Sequence, residues 1–201
     1  KNCQACNVGT YQRLNGQTSC NSCPNGTYAD KTGLEECITC PFRLASVNGS
    51  STCPFCDEGF YLSDTLPLIN SSEIFQDPFT YCLECPSFGA SCQINSTLSQ
   101  LQILPNYWRH SNRTSTIYKC SNNNGSCNGS TKSTYSKEIM ELHSFGDTYC
   151  KEGHKGPLCE VCEDERSYFS DTDGQCMKCP SSGTITVLLL VILLSITVTA
   201  T

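Results

Sequence analysis

Cysteine is the residue type in this chain with chemistry to offer, 18 of 201 residues. The pairs Cys3/Cys6, Cys20/Cys23, Cys37/Cys40 and Cys53/Cys56 are each C-x-x-C, and the first three open 17 residues apart. Three chemistries suit thiols in this arrangement. Four thiolates at C-x2-C-x13-C-x2-C, at Cys3/Cys6 with Cys20/Cys23 and again at Cys162 with Cys176/Cys179, can surround a tetrahedral zinc ion. A single C-x-x-C can serve as a dithiol redox centre, but no βαβ pattern surrounds any of these. Oxidised in pairs, the sulfurs instead staple a chain that lacks the apolar residues for a large core.

Compartment decides among them. Seven N-x-S/T sequons stand at Asn25, Asn48, Asn70, Asn95, Asn112, Asn124 and Asn128, the mark of a chain that meets the glycosylation machinery. That places the cysteines in oxidising surroundings, so disulfides are expected rather than zinc or redox sites, and N-linked glycans are expected on the turns. Ile185 to Ala200 carries no charge and would make a helix of ~24 Å, so a transmembrane helix is expected over 184–201, contacting membrane lipid. The chain opens on Lys1 without a signal peptide and closes on the apolar side of that stretch, and further chain is expected at both ends. A net charge of −6 and the lack of any Lys/Arg cluster argue against nucleic acid as a partner.

Other groups have plainer readings. Gly125-Ser126-Cys127-Asn128-Gly129 has the outline of a nucleophile elbow, yet a polar turn with two sequons surrounds it. His110, His143 and His154 lack metal-ligand spacing and read as exposed. Asp171-Thr172-Asp173-Gly174 reads as a turn, since the remaining ligands of a calcium loop are missing. Glu160, Glu163, Asp164 and Glu165 read as a solvated face. No catalytic residue, metal site or cofactor is expected, and the chain reads as a non-enzyme.

The elements that must hold the cysteines are short. Gly9-Thr10-Tyr11, Gly26-Thr27-Tyr28 and Gly59-Phe60-Tyr61 follow Cys6, Cys23 and Cys56 at one offset, glycine giving a tight turn and tyrosine a ring to cover the disulfide. After Cys40 the chain reads Pro41-Phe42-Arg43-Leu44, so a different turn is expected there, with Phe42 as the covering ring. Residues 62–81 read as a long loop. Leu98, Leu101, Ile103 and Leu104, with Tyr107 and Trp108, form a satellite core, and Ser136 to His143 suits a short helix. Cys150-x2-Gly153-x2-Gly156-x2-Cys159-x2-Cys162 packs two glycines inside one cysteine loop, the pattern of a compact double turn.

This last motif resembles the end of a laminin-type epidermal-growth-factor module. The earlier repeats resemble the ephrin-receptor-like cysteine-rich repeat, itself similar to the first submodule of tumour-necrosis-factor-receptor repeats. The segments Asn106 to Arg109 and Ile117 to Cys120, with Cys127 and the C-terminal motif, look like the membrane-proximal region of large protist surface proteins. The resemblance implies a small disulfide-rich fold: elongated tandem cysteine-rich repeats of short β-hairpins and loops, followed by a transmembrane α-helix. It divides the chain into ephrin-receptor-like repeats over 1–56, an irregular cysteine-containing region over 57–149, a laminin-type module over 150–180 and the span.

In modules of this kind the second cysteine of each C-x-x-C bonds the first cysteine of the next. That implies Cys6–Cys20, Cys23–Cys37, Cys40–Cys53, Cys56–Cys82, Cys150–Cys159 and Cys162–Cys176, with adjacent C-x-x-C members unbonded. Glycine turns that reverse the chain are compatible with the ~5.5 Å Cα separation a disulfide needs. Cys85–Cys92 and Cys120–Cys127 complete the set, leaving Cys3 and Cys179 to partners outside it. The function implied is a structural or adhesive ectodomain of a glycosylated cell-surface protein that packs against other extracellular proteins. A ligand-binding signalling receptor is the alternative.

Overall fold

The computed structural model of the chain describes residues 4–63, 71–121, 125–130 and 145–180. Cys3, Asn70, Asn124, His143, the helix expected from Ser136 to His143 and the span expected over 184–201 lie outside the described residues. Among the described residues no helix is long and apolar enough to cross a membrane.

The described chain is a succession of eight two-stranded antiparallel sheets. In order they pair β1 (Thr10–Tyr11) with β2 (Asn21–Ser22), β3 (Thr27–Tyr28) with β4 (Ile38–Thr39), and β5 (Leu44–Ala45) with β6 (Phe55–Cys56). Next come β7 (Phe60–Leu62) with β8 (Cys82–Glu84), β9 (Ala90–Ser91) with β10 (Gln102–Ile103), and β11 (Tyr107–Trp108) with β12 (Tyr118–Lys119). The last two join β13 (His154–Lys155) to β14 (Val161–Cys162) and β15 (Ser167–Ser170) to β16 (Gln175–Lys178). Residues 57–149 thus carry hairpins of the same build as the regular repeats before them.

One backbone device recurs in these units. The residue before the first strand is Gly9, Gly26, Arg43, Gly59, Gly89, Asn106 or Gly153, each left-handed with φ between 68 and 84°. Its carbonyl accepts the N–H of the residue just past the second strand: Cys23, Cys40, Asp57, Cys85, Leu104, Cys120 and Glu163 respectively, at 2.8–3.1 Å. In the eighth unit the Arg166 carbonyl accepts the Cys179 N–H at 2.8 Å. Outward N–H groups then join successive units, Gly9 to the Ala29 carbonyl, Gly26 to Ser46, Gly59 to Cys92 and Asn106 to Cys127. With strands of two to four residues, these bonds do what long ladders do elsewhere.

Two expectations are corrected here. The third repeat lacks glycine yet makes the same turn, because Arg43 itself adopts φ 75°. An L-residue there bears about 1–2 kcal/mol of steric cost, which the contacts of the Arg43 side chain, described below, offset. Residues 62–81 are no simple loop: α1 (Ser71–Gln76) and α2 (Pro78–Tyr81) lie within them. Asp77 caps α2, its carboxylate accepting the Thr80 N–H at 3.3 Å, and Pro78 follows at the first helical turn, where a missing N–H costs nothing. The buried Ile74 and the Phe75 ring, 5.4 Å edge-on from Tyr28, hold α1 to the repeats.

Burial collects in two small clusters. One gathers Tyr28, Leu44, Ile74 and the half-cystines Cys53, Cys56 and Cys82. The other gathers Leu98, Leu101, Ile103, Trp108, Ile117 and Tyr149 around Cys92, Cys120, Cys127 and Cys159, so the satellite core is present, although Leu104 stays 36% exposed. The Trp108 indole N–H donates to the Gly146 carbonyl at 2.8 Å and fixes the 3₁₀ segment Phe145–Tyr149 beside it.

The least expected member of the second cluster is Arg109, 1% exposed. Its Nε donates to the Tyr149 hydroxyl at 2.7 Å, Nη1 to the Leu98 carbonyl at 2.8 Å and Nη2 to the Ser99 carbonyl at 3.1 Å, with the Tyr149 ring 5.5 Å from Cζ. A guanidinium spends its forked donors on these oxygens and so ties β11, the 98–99 turn and the 3₁₀ segment into one knot.

Two predictions follow from this packing, both read as melting temperature with disulfides intact. A Cβ on Gly26 meets nothing within 4 Å, whereas one on Gly9 would lie 2.1 Å from the Gly49 carbonyl oxygen. Gly26→Ala should therefore cost about 1–2 kcal/mol of backbone strain, and Gly9→Ala the same plus about 1–3 kcal/mol of overpacking. Equal losses would show that the first and third repeats do not meet at this point. Arg109→Lys, which keeps the charge but loses the fork, should destabilise by about 2 kcal/mol or more, since it leaves buried acceptors unmet. An unchanged melting temperature would remove the knot.

Candidate interaction surface

The cysteines come together in eight disulfides: Cys6–Cys20, Cys23–Cys37, Cys40–Cys53, Cys56–Cys82, Cys85–Cys92, Cys120–Cys127, Cys150–Cys159 and Cys162–Cys176. These are the pairs named above, with Cα separations from 5.3 to 6.5 Å, and Cys179 remains free and exposed. The bonded sulfurs have no thiolate to offer a metal or a substrate. Among the described residues no group of His, Cys, Asp and Glu is arranged to hold a metal ion.

Among the sequons, Asn25, Asn48, Asn95 and Asn128 are exposed and Asn112 is half-buried. Asn25 and Asn48 flank one joint, because Gly26 next to the first donates to Ser46 and Gly49 next to the second donates to Cys23. Asn95 takes a glycine's place, left-handed at φ 66°, with its N–H on the Cys56 carbonyl as Gly49 is on Cys23. Asparagine is the non-glycine residue that bears this conformation most easily.

The nucleophile-elbow outline dissolves into a strapped turn, with Ser126 and Cys127 buried and the Lys151 N–H on the Ser126 carbonyl. In the Asp171–Gly174 turn, Asp173 accepts the Ser170 hydroxyl at 2.8 Å, closing the turn on itself. Glu163, Asp164 and Glu165 are exposed, and Glu160 accepts the Ser121 hydroxyl at 2.7 Å. The Arg166 backbone N–H at 3.0 Å, helped by the charges of Arg166 and Lys178, holds the Asp164 carboxyl below the usual carboxylate range. The stabilisation is present above the ordinary Asp pKa and lost as pH falls through the lowered one; solvent keeps it small. His110 is exposed, but His154 is only 7% exposed, which corrects its reading. It follows the Gly153 turn and is covered by the β15–β16 hairpin, whose Phe169 ring stands edge-on at 6.3 Å.

The surface feature that stands apart is built on Arg43. Its guanidinium carbon lies 4.5 Å from the centre of the Phe79 ring, 5.1 Å from Phe60 and 5.8 Å from Phe42. Nη1 donates to the Cys82 carbonyl at 3.0 Å, and Nη2 reaches the exposed Glu84 carboxylate at 3.4 Å. Phe42, expected to cover a disulfide, instead stands edge-on to Phe60 at 5.5 Å and tilted to Phe79 at 6.2 Å. It is 67% exposed and Phe79 59%. Two phenyl rings thus face water over a cation that fixes their positions, with one carboxylate at the edge. Aromatic rings with arginine are the side chains most enriched where proteins meet. Phe79 arrives from 37 residues away on α2, so the pattern has no local signature beyond the Asp77-Pro78 helix start.

The family model described as tyrosine-protein kinase ephrin type A/B receptor-like matches residues 1–33. No curated protein matches the chain. The match spans the first hairpin unit and part of the second, where C-x-x-C and Gly-Thr-Tyr recur, and the same hairpin device continues through Cys179. Chain architecture and matched repeat together are those of a disulfide-rich, receptor-like cysteine-rich domain suited to the extracellular side.

Proposed function

We propose that the chain is the non-enzymatic, structural or adhesive ectodomain of a glycosylated cell-surface membrane protein. In this reading the apolar stretch over 184–201 enters the bilayer, glycans sit on the exposed turns, and the Phe42–Phe79 surface packs against another extracellular protein. The observation that carries it is the pair of phenyl rings, 67% and 59% exposed, held over Arg43 on a scaffold whose cross-links leave it little freedom to rearrange. A rigid, solvated aromatic pair is a preorganised contact, since ordering it costs nothing further on binding.

A signalling receptor is the second reading, favoured by the receptor kinase named in the description of the matched family. A kinase-type or death-type domain beyond Thr201 would support signalling, and a short tail or further spans there would support anchoring.

Two outcomes test the main reading. On intact native cells, added protease should digest residues 1–180, and glycosidase should lower the intact mass of the released material by several glycans; protection or an unchanged mass would place the domain elsewhere. The double variant Phe42→Ser/Phe79→Ser should reach the surface and melt near wild type while amine-reactive cross-linking to neighbouring proteins falls severalfold. Undiminished cross-linking at normal surface levels would show that the ring pair is not the contact.

A further inference from the structure

His154 is the one histidine among the buried residues described, and the proposed function leaves it unused. It heads β13, beside Cys162 in the β13–β14 register, and its ring lies against the next hairpin. Nε2 accepts the backbone N–H of Cys176 at 3.2 Å, and Nδ1 faces the Glu152 carbonyl oxygen at 3.2 Å. These partners define the proton's place. An amide N–H can only donate, so Nε2 must be bare; a carbonyl can only accept, so the ring's hydrogen belongs on Nδ1. Both ring nitrogens are therefore spent on backbone groups, and the site suits a neutral imidazole.

We propose that His154 is an acid-sensitive joint between the last two hairpins: neutral, it orients β15–β16 on β13–β14 through the Cys176 N–H, and a proton on Nε2 breaks that bond. The imidazolium would set two N–H donors face to face, in a place 7% open to water, with a charge that no hydrogen-bonded carboxylate answers.

The charged groups on the surrounding elements do not change this outcome. On the ring's own strand and turn are Lys151, Glu152 and Lys155, Glu152 meeting the ring through its backbone carbonyl. From the 3₁₀ segment Phe145–Tyr149 comes Asp147, whose carboxylate is taken by the Gly156 N–H at 2.6 Å. Around β14 stand Glu160, held by Ser121, and the exposed Glu163. From the last hairpin come Asp164, Glu165, Arg166, Asp171, Asp173 and Lys178, with Asp164 engaged by the Arg166 N–H and Glu165 exposed. The second 3₁₀ segment, Pro157–Cys159, brings no charge. The sign follows from the partners: the joint is closed where Nε2 is bare and opens where Nε2 carries a proton. The Cys162–Cys176 disulfide still tethers the hairpin, so the result is a loosened hinge rather than a detached strand.

The test is nuclear magnetic resonance on the full disulfide-bonded chain. The chain is compared at about pH 7.5 and about pH 5: at the first, His154 should show the Nδ1–H tautomer with an unprotonated Nε2, and wherever the ring takes up a proton the Cys176 amide should shift in step with it. Its exchange protection, corrected for the intrinsic effect of pH, should fall about tenfold, the value of one lost hydrogen bond. His154→Gln places an amide oxygen where Nε2 was, and it should keep the Cys176 amide protected at both pH values. An Nε2–H tautomer at neutral pH overturns the proposal, as does a Cys176 amide indifferent to ring protonation. Full acid response in a folded Gln variant does the same. If the variant does not fold, the tautomer and amide readings on the wild-type chain decide alone.

Discussion

Everything in this fold hangs on a backbone position that must turn left. At seven of the eight units one residue with φ between 68 and 84° lets the chain reverse and points its carbonyl at the far end of its own hairpin. The two- and three-residue strands that follow would not hold without it, since an isolated hairpin of ordinary length is already marginal in water. Glycine meets this demand at five of the positions, asparagine at one and arginine at one. The arginine exception is informative, because the strained residue is also the one whose side chain gathers three phenylalanines.

Covalent and non-covalent ties divide the work by distance. Each disulfide closes a local loop, and loops of about 15 residues restrain the unfolded chain by roughly 3 kcal/mol each in the chain-entropy model. They do little to set one unit against the next. That task falls to the inter-unit hydrogen bonds, to the clusters around Tyr28 and Trp108, and to Arg109, whose three donors reach from one strand to a turn and a 3₁₀ segment. Burying a cation with neutral oxygens as its hydrogen-bond partners is costly, which makes the arrangement specific: few other packings would bring these acceptors together.

How far the sequence could be read depends on whether a residue's task is local. Gly9, Gly26 and Gly59 announce their turns because they follow C-x-x-C at a fixed offset, and the cysteine pairs follow from the modules this chain resembles. Arg43 and Asn106 make the same turn without the glycine that would mark it, so residue type does not announce their units. The helices α1 and α2, six and four residues long, are too short to show a helical period, and are held by Asp77, Pro78 and contacts to Tyr28 far back in the chain. Arg109 and His154 look like surface residues by type. Their partners are mostly backbone atoms of Leu98, Ser99, Glu152 and Cys176, and backbone atoms leave no trace in residue identity.

The stapling has a mechanical side. Pulled from its ends, a repeat such as Cys6 to Cys23 would unwind its hairpin but could not let out the loop that Cys6–Cys20 closes, its Cα atoms 5.7 Å apart. The load would pass across the sulfurs and along three residues of backbone, about 10 Å, where an unbonded stretch of 17 residues would reach about 58 Å. Loss of folded structure and gain of length are therefore nearly uncoupled. A chain of such units behaves under tension as a short, almost inextensible tether even when its hydrogen bonds have let go.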